Sequence, residues 1–139
     1  MRPGQAAGAI HVHPTGRFVY VTNRNSGVVD FEGTKVSNGG ENTVAVFAID
    51  QTTGEPTLLH HSEARAIHLR TFSIDPSGRL LVAASILPLS VRDGTTVATL
   101  AAALSVYRIG SDGMLDFVRK YDVDTGKFMQ FWSGMVTLA

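Results

Sequence analysis

The stretch Ala-Ile-His-Val-His-Pro-Thr-Gly-Arg-Phe-Val-Tyr-Val-Thr-Asn at residues 9–23 decides the fold, because the chain repeats it as Arg-Thr-Phe-Ser-Ile-Asp-Pro-Ser-Gly-Arg-Leu-Leu-Val-Ala-Ala at 70–84. In both copies Pro-Thr/Ser-Gly-Arg separates two apolar runs. Proline locks its own φ in the turn region and glycine accepts positive φ, so the tetrapeptide reads as a tight turn between strands. The flanking runs alternate and are rich in β-branched and aromatic residues, which favours strands. Working outward, Asn42–Asp50 (NTVAVFAID) is echoed by Ala103–Gly110 (ALSVYRIG), and each echo is followed by a turn and a further strand-like run. Pro14 and Pro76 mark the same point of the two copies.

Repetition on this scale means stacked copies of one supersecondary unit. A unit of four short antiparallel strands is a β-propeller blade. The expected fold is therefore all-β, a propeller segment of two four-stranded blades, 9–61 and 70–121, with the start of a third at 122–139. In the first blade strands are expected at 9–13, 17–23, 43–49 and 56–60, and in the second at 71–74, 80–84, 104–109 and 114–121. Residues 24–42 and 85–101 read as two long loops at equivalent places, a candidate contact surface. Runs at 128–131 and 134–138 read as the first strands of the next blade.

Composition narrows the function. The 139 residues include twelve basic and twelve acidic side chains, so there is no electrostatic footprint for nucleic acid or an anionic membrane. Hydrophobic residues at 44% and charged residues at 17% fit a folded core. The absence of cysteine excludes disulfides and thiolate chemistry. No apolar run approaches the roughly 20 residues of a membrane span, and residues 1–8 lack the apolar centre of a secretory signal, so a cytoplasmic location is expected. No nucleophile elbow, phosphate loop or dinucleotide fingerprint is present, and no cofactor is expected.

Four passages together resemble the lactonase-type seven-bladed propellers, the family of 6-phosphogluconolactonase and the carboxymuconate-lactonizing enzyme: IHVHPTGRFVYVTNR at 10–24, NTVAVFAIDQTTGEPTLL at 42–59, RTFSIDPSGRLLVAAS at 70–85 and FWSGMVTL at 131–138. The last resembles the C-terminal end of some members. The resemblance implies hydrolysis of a small sugar-acid or carboxylated lactone at a central mouth lined by arginine, histidine and glutamate. Arginine suits that task because its planar fork binds carboxylates and can stabilise a lactone oxyanion. By position Arg70 resembles the family's central arginine, although Leu69 stands where proline is usual. His68 is a second candidate there. Asn23, Arg24 and His11 are candidate substrate-binding residues. Where the family commonly reads Ala-Glu-Ile this chain has Gly8-Ala9-Ile10, so a methyl group replaces the acid. That departure favours the alternative of a non-catalytic propeller used for binding or scaffolding.

Other residues receive local readings. His11 and His13 alternate on one strand, but His13 takes the turn position of Asp75, so turn bonding is expected rather than a metal. His60 and His61 are expected to be solvated, and Asp50, Asp75 and Asp112 to form turns. Phe131 and Trp132 are expected to fill the core or cover a blade. Seven blades of about 45 residues need more than about 300, so the ring must be completed by more of the same chain, by self-association or by a partner chain. The blade faces expected to lie open carry Phe18, Tyr20, Val44, Val46, Leu80 and Val82, and a stable free monomer is not expected.

Overall fold

The computed structural model describes residues 3–138. Two four-stranded antiparallel sheets dominate it. The first comprises β1 (Gln5–Val12), β2 (Phe18–Asn25), β5 (Thr43–Ile49) and β6 (Pro56–Glu63), in that spatial order. The second comprises β7 (Leu69–Ile74), β8 (Leu80–Ser85), β11 (Ala102–Ile109) and β12 (Leu115–Val123), paired in the same succession. Each sheet is an up-and-down meander, and β1 lies beside β7. This is the all-β propeller architecture.

The two long connections are not loops. Each folds into a hairpin, β3 (Val28–Phe31) with β4 (Thr34–Ser37), and β9 (Leu89–Asp93) with β10 (Thr96–Leu100). The signal was the turn chemistry. Glu32 and Gly33 both take positive φ, 51° and 79°, and Gly94 takes 61°, the conformations that two-residue hairpin turns require. The hairpins pack side by side through β4 and β9, with the Arg92 guanidinium 4.6 Å above the Phe31 ring.

The core lies between the sheets. From the first come Phe18, Tyr20, Val44 and Val46, and from the second Leu69, Phe72, Leu81, Ala83, Ala103 and Tyr107, with Ala64 and Ala66 of the crossover between them. Four residues expected on an open face are thus covered: strand alternation sends them to the neighbouring blade. Leu80 and Val82 face outward instead, Leu80 exposed and Val82 half-buried.

Polar groups fasten the blades where the core ends. Tyr20 OH donates to Gly113 O at 2.9 Å, Tyr107 OH to Glu63 O at 2.8 Å and Ser105 Oγ to Ala64 O at 2.8 Å. His13 is buried and bonds Thr15 Oγ1 through Nδ1 and Gly78 O through Nε2, both at 2.8 Å. It joins its own turn to the homologous turn of the next blade. In that turn Asp75 Oδ1 instead accepts from the amides of Arg79 and Leu80.

Residues 124–138 carry no strand. The strands expected at 128–131 and 134–138 are absent: isolated main-chain and side-chain hydrogen bonds, rather than a backbone ladder, hold this segment. Gln130 N donates to Ile86 O at 2.8 Å and Gln130 Nε2 to Ser85 O at 2.9 Å. Ser133 Oγ bonds the Thr71 and Ser73 hydroxyls at 3.3 and 3.4 Å. The segment forms a strap across the second blade.

Candidate functional site

The inner strands of both blades break register at the same end. In β1 the pairing steps from Ala7–Asn23 to Ile10–Val21, leaving one extra residue at Gly8–Ala9. In β7 it steps from Leu69–Ser85 to Thr71–Ala84, so Arg70 is the extra residue. Gly8 and Arg70 occupy equivalent places in the repeat, each the same distance before its turn proline, Pro14 or Pro76. A bulge re-aims the side chain it carries. Glycine is required at the first: a Cβ there would collide with Thr22 Oγ1 and come within 2.9 Å of Leu69 O.

Between the two bulges lies a cavity of about 170 Å³ lined by Ala7, Gly8, Ala9, Arg24, Arg70 and Trp132. Arg24 comes from the end of β2, and its Nη1 donates to His68 Nε2 at 2.7 Å. A guanidinium only donates, so Nε2 is the acceptor and the ring proton sits on Nδ1. Burial holds the His68 pKa below its usual value, and Arg24 and Arg70 push it the same way. The imidazole is therefore neutral near pH 7. Its backbone adopts φ 62°, a conformation costly for a non-glycine residue and often found at functional sites. It is held there by Asn42 Oδ1, which accepts the His68 amide at 2.8 Å.

Arg70 stacks its guanidinium 4.2 Å above the Phe131 ring. Among the described residues, neither Arg24 nor Arg70 has a carboxylate within ion-pair distance. Thr22 Oγ1 and Arg24 Nε are buried without hydrogen-bond partners. Two guanidinium groups thus line the cavity with N–H donors and no acidic side chain, and a neutral imidazole bonds one of them. Such a set binds an anion or stabilises a developing oxyanion.

Of the residues singled out from sequence, Arg70, His68 and Arg24 come together. Asn23 does not join them. Alternation along β2 sends it to the other face of the sheet, where Nδ2 donates to Glu41 Oε1 at 3.0 Å and Thr43 Oγ1 at 3.1 Å. His11 packs its ring 4.6 Å from Phe72, away from the cavity lining. His61 is not merely solvated: its Nδ1 lies 2.5 Å from Glu41 Oε1. The hydrogen bond from Thr43 chiefly, against an opposing effect of burial, and then His61 and Asn23 hold the Glu41 carboxyl below its ordinary range. No group of three or more potential metal ligands occurs among the described residues.

Phe131 and Trp132 depart from expectation. They neither fill the core nor cover a blade; they are 40% and 76% exposed and belong to the cavity's surroundings. Sequence reading missed this because the strap's course depends on Gln130 and Ser133, whose partners lie far back in the chain, on β7, β8 and β11.

Fold and site define a segment of a β-propeller with a cationic pocket at one end of its inner strands. The model of the lactonase, seven-bladed β-propeller family matches residues 2–86. The chain belongs to that family. It is 32% identical over 76 residues to a 6-phosphogluconolactonase of Formosa agariphila, a match covering 55% of this chain and 18% of that protein. A crystal structure from Bacteroides fragilis, provisionally described as a 6-phosphogluconolactonase, superposes with a TM-score of 0.59 at 25% identity, over 86% of this chain and 26% of that one. The periplasmic gluconolactonase of Pseudomonas aeruginosa shares the fold, with a TM-score of 0.61 at 20% identity over 91% and 28% of the two chains. The chain thus spans about a fifth to a quarter of the length of these relatives.

Proposed function

We propose that this chain forms part of the mouth of a propeller that binds and hydrolyses a small sugar-acid or carboxylated lactone once the ring is complete. The observation that carries this reading is that Arg24 and Arg70 line one cavity at the inner strands, with neutral His68 hydrogen-bonded to Arg24. Arg70 binds the anionic substituent or the oxyanion formed when water adds to the lactone carbonyl. Arg24 adds a second cation, and His68 positions it by accepting its Nη1–H. His68 Nε2 is engaged by Arg24 and Ala9 has no proton-accepting group, so the base that activates water is supplied by another blade rather than by the residues lining this cavity. Asn23 and His11 act on the scaffold in this reading, through the Glu41–Thr43 network and the Phe72 ring.

The ring is completed by further blades of the same chain, by further copies or by a partner chain. Exposed Ile10, Val12, Leu58 and Leu80 support this. The test is a lactone panel that includes 6-phosphogluconolactone, assayed with the wild type and Arg70→Ala. Hydrolysis that falls at least a hundredfold in the variant supports the reading; hydrolysis indifferent to Arg70 overturns it. The donor-only composition of the site favours one rival, a propeller that binds the sugar acid without turning it over. Binding without hydrolysis on the same panel identifies that rival.

A further inference from the structure

We propose that Trp132 is a specificity-determining platform for the ring of the bound sugar acid and that Phe131 is a positioning residue for Arg70; this rests on the lactone-binding reading above. The strap is tied down on both sides of these two aromatics. Before them Gln130 bonds Ile86 O and Ser85 O. After them Ser133 bonds Thr71 and Ser73, both buried. Only residues 131 and 132 lie between the anchors, so their placement is fixed by the second blade. Phe131 sits under the Arg70 guanidinium, an arrangement that holds a cation while leaving its N–H edge free to donate.

Trp132 turns the other way. It lines the cavity together with the small residues Ala7, Gly8 and Ala9, and its ring is set edge-on to Phe131 with centroids 5.8 Å apart. A tryptophan that is 76% exposed contributes little to a core. The other residues of the cavity are two guanidinium groups and three residues with no side chain larger than methyl. A broad apolar face sharing a cavity with two cations and such small residues fits one kind of guest: a ring with a C–H face and an anionic substituent. Pockets of this type use a few polar groups to orient the ligand and apolar surface to select it. The arginines alone hold any small anion, and Trp132 separates a sugar acid from inorganic phosphate.

Trp132 is the only tryptophan in the chain, so its fluorescence reports on the cavity directly. The experiment titrates 6-phosphogluconate and inorganic phosphate into the assembled protein with its ring complete, by calorimetry and by tryptophan emission, with Trp132→Phe as the emission blank. The expected results are an emission change saturating at the calorimetric Kd for 6-phosphogluconate, and roughly tenfold weaker 6-phosphogluconate binding in Trp132→Ala with phosphate affinity held within about twofold. Trp132→Phe retains most of the affinity, and Phe131→Leu weakens both ligands through Arg70. Thermal melts of each variant check that the fold persists. If the wild type binds 6-phosphogluconate but Trp132→Ala binds it equally well, or loses both ligands alike, the platform assignment is wrong while the lactone reading stands. If the wild type binds neither ligand, both fall.

Discussion

Raising the pH should unfasten the two blades through Tyr20 and Tyr107. Both are fully buried in the shared core, and each donates its hydroxyl to a backbone carbonyl of the other half. Burial pushes both phenols up from 10 to about 12; the Asp112 charge adds to the rise at Tyr20, while Ser105 and Arg65 oppose it at Tyr107. A pKa raised in the folded state means that the neutral form is stabilised. That contribution is fully present below the unfolded value near 10 and is lost as pH climbs through the folded value near 12. The rise corresponds to about 2–3 kcal/mol per tyrosine. Tyrosine to phenylalanine removes the titration but also the hydrogen bond, at a cost of about 1–1.5 kcal/mol near pH 8. Wild type and Tyr20→Phe should therefore cross: the variant is less stable near pH 8, equal between about pH 10.5 and 11.5, and more stable at pH 12. Urea unfolding followed by far-ultraviolet dichroism at several pH values reads this directly, and the difference between the proteins cancels other groups that titrate in the window. Tyr107→Phe should behave alike. An offset that stays constant from pH 8 to 12 would refute the reasoning.

Two further predictions concern packing and assembly. Gly113 has φ 83°, and a Cβ there would press into the Phe18 ring, whereas Gly54 has φ 79° with nothing within 4 Å. Gly113→Ala should cost about 2–4 kcal/mol, from strain plus overpacking, and Gly54→Ala only about 1–2 kcal/mol; melting curves of the pair separate the terms, and equal shifts would show that Phe18 yields freely. In solution the chain should not run as a well-behaved monomer of 14.9 kDa; light scattering that finds that mass together with a sharp thermal transition would contradict the need for covering blades.

The blades were legible because their information is local and doubled. Pro-Thr/Ser-Gly-Arg fixed both inner turns, and alternation in Phe18–Asn25 and Thr43–Ile49 placed the strands almost to their ends. The hairpins were legible in principle, since Gly33 and Gly94 supply the positive φ of two-residue turns, but the polar composition of residues 24–42 masked the first. The facing of Tyr20, Val44 and Val46 was half legible: their alternation was plain, but the blade that covers them is encoded in a later part of the chain. Arg70 and His68 were reached through the family resemblance. Their meeting with Arg24 was not readable, because it depends on the bulges at Gly8–Ala9 and Arg70, and a bulge is defined by the pairing with the neighbouring strand.

Those bulges also account for the gap between the two halves of the chemistry. A propeller places its site where inner strands from successive blades converge, so each blade contributes only one or two side chains. In this chain the equivalent bulged position carries Arg70 in the second blade and Gly8 in the first. Position 8 is closed to any side chain, because a Cβ would run into Thr22 Oγ1 and the Leu69 carbonyl. The close approach of β1 to β7 therefore leaves the first blade's bulge without a functional group, and the second blade's bulge supplies the cation at Arg70.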